Sequence, residues 1–215
     1  DGGWGDTLPP VYGHEAAGHV SNVGPGATAF APGNTVLVTL VRSCGACPSC
    51  VTHHPAACTN GWDTITHPIT GPDGTPYVQG LRTGAFAERV VVPVSQVVGI
   101  PAGIPLDAAS LLSCGVITGV GAVVNTARLR PGQTAVVIGA GGVGLNAIQG
   151  ARIAGARRIV AVDMTQEKLA IAREFGATDG VLATDPKPWG AARKILGGGA
   201  DAVFVTVGAI AAFDP

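Results

Sequence analysis

Four cysteines fall within fifteen residues, as Cys44-Gly-Ala-Cys47-Pro-Ser-Cys50 followed by Cys58. Thiolates at this spacing can close a tetrahedron around one zinc ion and leave no coordination position open, as a structural site requires. Such a site would hold a loop with little apolar core of its own. The alternative is two disulfides, which would be strained in so short a loop. The chain has five cysteines, an odd number that suits metal better than pairing. His53 and His54 lie inside the loop and could replace a cysteine, but Cys58 completes the set without them.

A second stretch suited to binding reads Val136-Val137-Ile138-Gly139-Ala140-Gly141-Gly142-Val143-Gly144. It is an apolar run, then G-x-G-x-x-G, then a helical pattern. In such a motif Gly139 allows a tight turn, Gly141 lets the backbone approach a pyrophosphate, and Gly144 lets the helix pack on the strand. Gly142 and Val143 open the helix, whose first amides and dipole favour phosphate. Asp163 ends the next strand-like run, nineteen positions after Gly144. A carboxylate there can accept hydrogen bonds from the ribose hydroxyls and repels a 2′-phosphate, which favours NAD over NADP. The plain alternative is a glycine-rich turn beside a helix-capping Asp.

The third stretch is Gly13-His14-Glu15-Ala16-Ala17-Gly18-His19-Val20. Alone, His14 is an ordinary partly buried histidine and Cys114 a small core residue. Together they supply imidazole and thiolate, and a catalytic zinc site needs three protein ligands beside an open position.

Elements of two kinds must position these groups. Up to about residue 110 the chain reads as short strands between Gly, Pro and Asn turns, with strands expected at Val36–Val41, Glu88–Val92 and Gln96–Ile100. From 111 to 215 the reading is an α/β domain. Helical patterns cover Leu106–Leu112, Ile117–Ala127 and Val143–Ala154, and a further helix starts at an N-cap, Thr165, and stops at Gly176. Strands are expected at Thr134–Ile138, Arg158–Val162, Val181–Ala183 and Ala202–Val207. Strands alternating with helices imply a parallel sheet wrapped on both faces.

Bulk properties narrow the function. The 215 residues are 47% hydrophobic and 13% charged, which excludes a disordered chain. The formal net charge is −1 with no basic stripe, which argues against a nucleic-acid partner, a zinc-finger reading included. No apolar run reaches the ~20 residues of a membrane span. The cysteine usage suggests a cytoplasmic metalloprotein.

G-H-E-x-x-G-x-V, the four-cysteine loop, Cys114-Gly-Val-Ile-Thr-Gly and G-x-G-x-x-G, in this order, resemble the zinc-containing medium-chain dehydrogenase/reductases. The resemblance covers essentially the whole chain. Its nearest details are those of the alcohol dehydrogenase branch, including the glutathione-dependent formaldehyde dehydrogenase class. It implies a β-rich GroES-like catalytic domain, partial, followed by a doubly wound Rossmann domain, also partial. It implies two zinc ions, one structural on Cys44, Cys47, Cys50 and Cys58, and one catalytic on His14 and Cys114, with Glu15 beside it. Asp163 and Lys168 would bind the adenosine ribose of NAD. Val143, Thr118 and the backbone near Val207 would approach the nicotinamide. The implied reaction oxidises a small alcohol, or reduces an aldehyde, with NAD as the hydride carrier. A homo-oligomer, dimer or tetramer, is implied for the full-length protein.

The departures are specific. The family usually has Gly before the ligand cysteine, where this chain has Ser113. Its third catalytic ligand is a Cys well upstream of the His, followed by a proton-relaying Ser/Thr and His. Only thirteen residues precede His14 here and none is Cys. The expectation is a chain lacking both end regions of a parent enzyme. Polyol, threonine and formaldehyde dehydrogenases are the alternatives within the class. Outside it stands a catalytically incomplete fragment that binds zinc and nucleotide. Trp62, Tyr77 and Phe86 are expected to serve core packing rather than a substrate pocket.

Overall fold

The computed structural model describes residues 9–60 and 69–213. Trp62 falls outside them. The chain divides into two compact units, Asp1–Cys114 and Gly115–Pro215. Cys114 therefore closes the first unit, four residues later than the composition change at 110.

Among the described residues the first unit contains two small sheets. Strands β1 (Pro10–Val11), β4 (Ile69–Thr70) and β5 (Pro76–Gln79) form one, in the order β1-β5-β4. Strands β2 (Ala16–His19), β3 (Thr35–Val38) and β6 (Val97–Gly99) form the other, an antiparallel sheet in the order β2-β3-β6. β3 stops before Val41 because Thr39 turns the chain, its hydroxyl accepting the Val41 amide at 3.1 Å. The strand expected at Glu88–Val92 does not form. The Val91 carbonyl is taken by Gln79 Nε2 at 2.9 Å, and Pro93 has no amide to give a ladder. A one-turn helix α1 (Pro48–Val51) lies inside the cysteine loop, and α2 (Leu106–Ser110) runs into a 3₁₀ turn, Leu111–Ser113, just before Cys114.

The second unit is a four-stranded parallel sheet. Its order is β10-β7-β8-β9, with β7 Thr134–Ile138, β8 Arg158–Asp163, β9 Asp179–Leu182 and β10 Ala202–Val205. Helices α4 (Gly142–Ile153) and α5 (Gln166–Phe175) cover one face, packing on Ala135, Val137, Ile159 and Ala161. The alternate residues Val136, Ile138, Val160 and Val162 face α6 (Pro188–Leu196) on the other side. Both faces are buried, so the strands read as continuous apolar runs. Successive strands move one way from β7 to β9, and the connection through α6 returns to β10. The order reverses between β7 and β10, and a crevice opens at the carboxyl ends of strands at such a point.

Helix α6 has no counterpart in the expected elements. Pro188 at its first turn and Gly197 in the left-handed conformation after its last turn are its signals. Thr165 caps α5 as expected, accepting the Lys168 amide at 3.3 Å, and Gly176 ends it at φ +120°. The Ile117–Ala127 stretch is helix α3 (Gly115–Gly121) continued as a wider π-helical turn, Ala122–Ala127.

Helix α3 packs on α4 through Gly119, where an added Cβ would lie 2.4 Å from the Val143 carbonyl oxygen. Gly119→Ala is expected to destabilise the protein by about 1–3 kcal/mol through overpacking, read as a lower melting temperature. Gly121→Ala, whose nearest neighbour would be Asn125 Nδ2 at 3.7 Å, should leave that temperature nearly unchanged.

Candidate functional site

The four lobe cysteines converge. Their Sγ atoms all lie within 4.8 Å of one another. Cys44 and Cys50 sulfurs are 4.0 Å apart, and those of Cys47 and Cys58 are 3.9 Å apart. Zinc–sulfur bonds of about 2.3 Å at tetrahedral angles place sulfurs about 3.8 Å apart, so the cluster has the size of a zinc tetrathiolate. These are not disulfide distances, and all four cysteines are free.

The backbone is arranged for thiolates. The amides of Ala46 and Cys47 donate to Cys44 Sγ at 3.4 and 3.3 Å, and the Cys44 amide donates to Cys58 Sγ at 3.3 Å. The Cys50 amide lowers the Cys47 thiol to about 6, from an ordinary value of 9.0. Burial raises Cys50 to about 11, and the neighbouring Cys47 adds to the rise. Thiols this close cannot all ionise together, and a divalent cation removes the conflict. His53 and His54 are exposed, and His54 Nδ1 lies 2.7 Å from the Thr52 carbonyl oxygen. Among the described residues, only these four cysteines form a group of three or more potential metal ligands.

A second convergence joins residues far apart in sequence. His14 Nε2 lies 3.2 Å from Cys114 Sγ, across 100 positions. A zinc ion bound by both would set that distance near about 3.6 Å, a few tenths of an ångström from the one observed. His14 is held by its neighbours. Gly13 adopts φ +93°, and a Cβ there would lie 2.6 Å from the Phe86 amide nitrogen. The Ala85 and Phe86 amides donate to the Gly13 and Tyr12 carbonyls at 2.9 and 2.8 Å. Phe86 itself is 81% exposed, so the core role expected for it is wrong; it covers Gly13 from outside. Tyr77 is half-buried on β5. Glu15 follows His14 on the exposed side. Ser113, the departure beside Cys114, is fully buried and donates to the Ser110 carbonyl at 2.6 Å, so its hydroxyl is satisfied locally.

In the second unit the glycine loop lies at the crevice between β7 and β10. Gly139 turns at φ +94°, and Gly141 is the N-cap of α4, with no side-chain cap. Gly142 and Val143 form the first turn. A Cβ on Gly144 would come within 1.8 Å of the Gly139 carbonyl oxygen, so only glycine fits. Asp163 is 7% exposed at the end of β8. Its Oδ2 accepts the Ala140 amide at 2.6 Å and its Oδ1 the Met164 amide at 2.7 Å. Lys168 Nζ stands 3.9 Å from Asp163 Oδ1. Thr118 is exposed on α3. Val207 follows β10, and its Cγ1 would lie 2.4 Å from a Cβ on Gly139. Sequence reading overlooked Thr206. The only signal was a lone hydroxyl at the end of an apolar strand.

Comparison with known proteins agrees with this anatomy. Residues 1–102 match the family described as Alcohol dehydrogenase GroES-like domain, and residues 142–215 match Zinc-binding dehydrogenase. The chain is 34% identical to an alcohol dehydrogenase zinc-binding domain protein from Burkholderia ambifaria, with TM-score 0.89, covering 96% of this chain and 58% of that one. It is 28% identical to benzyl alcohol dehydrogenase from Acinetobacter calcoaceticus, with TM-score 0.86, covering 96% and 57%. An alcohol dehydrogenase from Thermus sp. ATN1 is 32% identical, with TM-score 0.77, covering 95% and 57%. The chain thus spans under two thirds of the length of these structures.

The lobe yields a pH prediction. Cys47 is depressed in the fold, so its thiolate contribution is complete above the unfolded value near 9.0 and lost as pH falls through about 6. Zinc content, measured by atomic absorption after dialysis, should stay near one lobe ion per chain at about pH 8 and fall on acidification as protons compete for the four thiolates. Cys47→Ser should remove that ion at every pH. Gly13→Ala should lower the melting temperature by displacing the Phe86 backbone, at a cost of about 1–3 kcal/mol.

Proposed function

This chain belongs to the zinc-containing medium-chain dehydrogenase/reductase family, and on that premise we propose that it carries the zinc and nucleotide sites of an NAD-linked alcohol dehydrogenase. One observation carries the catalytic part: the His14 imidazole and the Cys114 sulfur meet at 3.2 Å from opposite ends of their unit. Imidazole plus thiolate is a donor set suited to zinc. When bound, zinc supplies a Lewis acid for the alcohol oxygen and NAD supplies the hydride acceptor. His14 and Cys114 would hold the metal, and Glu15 places a carboxylate next to His14. The Cys44, Cys47, Cys50 and Cys58 lobe holds a second zinc that has a structural role.

The nucleotide part rests on the glycine loop and Asp163. Gly141 and the first turn of α4 provide amides for a pyrophosphate. Asp163 keeps acceptor capacity beyond the two amides it binds, since a carboxylate has about four lone-pair sites. Those sites suit the ribose hydroxyls and disfavour a 2′-phosphate. Lys168 adds a donor beside them.

A second reading has its own support. Among the described residues two ligands meet at His14, not three, which favours a zinc- and nucleotide-binding chain without turnover of its own. Zinc analysis separates the two. Two zinc ions per chain, with alcohol-dependent NAD reduction abolished by His14→Ala and by Cys114→Ser, supports the enzyme. One zinc ion, lost with Cys47→Ser, and no turnover supports the binding-only reading. Substrate panels should include simple and aromatic primary alcohols, and formaldehyde with glutathione because of the class resemblance.

Cofactor choice has a separate check. Asp163→Gly should reduce the ratio of NAD to NADP affinity at least about tenfold by removing a like charge from the 2′-phosphate position. It should weaken both cofactors as well, because the Ala140 amide loses its acceptor. An unchanged ratio in calorimetric titrations would remove Asp163 from the ribose site.

A further inference from the structure

The peptide between Gly139 and Ala140 is gripped at both ends by side chains. Its N–H, on Ala140, donates to Asp163 Oδ2 at 2.6 Å. Its carbonyl oxygen, on Gly139, accepts from Thr206 Oγ1 at 2.9 Å. The same hydroxyl is shared with the Ile138 carbonyl at 2.9 Å, and the Thr206 amide donates to Ile138 as well, also at 2.9 Å. Asp163 ends β8 and Thr206 follows β10, so the grips come from the two strands that flank β7. Both act at the place where the strand order reverses.

Control of this peptide matters for an anion. A peptide next to glycine can rotate about its flanking bonds at little steric cost. Rotated by half a turn, the Gly139–Ala140 unit would exchange the directions of its N–H and its carbonyl. The turned carbonyl oxygen would face the Asp163 carboxylate, and relieving that repulsion would shift Gly141 and the first amides of α4, which a pyrophosphate needs. The first turn of α4 begins directly after this unit and has no side-chain cap, so besides the Gly139 amide bond to Val162 and the close packing of Gly144, the orientation of this peptide rests on Asp163 and Thr206. We infer that Thr206 is a positioning residue for the pyrophosphate of the dinucleotide: its hydroxyl ties down the Gly139 carbonyl and so holds the glycine loop in its phosphate-accepting form. This rests on the nucleotide reading above. It differs from the role of Asp163, which also faces the ribose. Thr206 acts through the loop and need not touch the cofactor.

The experiment compares wild type, Thr206→Ala and Thr206→Ser in the same chain by calorimetric titration with NAD and ADP-ribose, and by NMR titration with adenosine, which lacks phosphate. Thr206→Ala should weaken NAD and ADP-ribose roughly three- to tenfold, the worth of one hydrogen bond, and leave adenosine unchanged. Thr206→Ser, which keeps Oγ, should restore binding to within about twofold of wild type. In the free protein the amide signals of Ala140 and Gly141 should move in the Ala variant and stay in the Ser variant. Melting curves and zinc content of all three show whether the fold is kept. If Thr206→Ala binds all three ligands as wild type does, or weakens adenosine as much as NAD, the inference is overturned while the nucleotide reading stands. If wild type binds neither NAD nor ADP-ribose, the nucleotide reading fails and takes this inference with it.

Discussion

The nucleotide unit depends on one close approach. Helix α4 comes so near the end of β7 that a methyl group on Gly144 would overlap the Gly139 carbonyl oxygen at 1.8 Å. Three consequences follow from that contact. The helix starts immediately after the strand, so its first amides lie beside the crevice between β7 and β10. The Gly139 carbonyl is pressed between α4 and Thr206. And α4 lies flat enough on the sheet to bury Ala147, Ile148 and Ala151 against it. Small residues on the facing helix α3, Gly119 above all, continue the same tight packing.

In the first unit the constraint is chemical rather than steric. The cysteine loop has buried Cys47 and Cys58 but almost no other core, and its helical segments are single turns, α-helical at Pro48–Val51 and 3₁₀ at Pro55–Ala57. Four sulfurs at metal-binding spacing therefore do the work that apolar side chains do elsewhere. The amides of Cys44, Ala46 and Cys47 are spent on sulfur rather than on a ladder, which is why the segment has no strand of its own.

Much of this was legible in the sequence because it is written in local patterns. β7 was bounded correctly since Thr134–Ile138 lies between a Pro-Gly turn and Gly139. The Thr165 cap and the Gly176 stop were read from residue types that have few other uses. The cysteine cluster was legible from spacing alone. What failed depended on partners remote in sequence. Glu88–Val92 is β-branched and apolar like a strand, yet Gln79 takes the carbonyl a neighbour would need. Phe86 looks like core, yet it sits over Gly13, 73 positions away, with its ring in solvent. Helix α6 was missed although Trp189, Ala192, Ile195 and Leu196 line its core side, because it is only nine residues long and carries Gly190 near its start. Thr206 was invisible because its partners lie 67 and 68 positions earlier.

The strand order carries a kinetic consequence. β7 can pair with β8 after closing a short connection, but its other neighbour, β10, is made after β8 and β9 and must return across the sheet to reach it. Long-range parallel pairings of this kind form late, because their loop-closure entropy has to be met first. The Thr206 hydroxyl arrives with β10, so the glycine loop takes its final shape only after that long-range pairing. A ligand that selects that shape binds only the fully folded unit, and its binding free energy is then added to the stability of the whole sheet rather than to the loop alone.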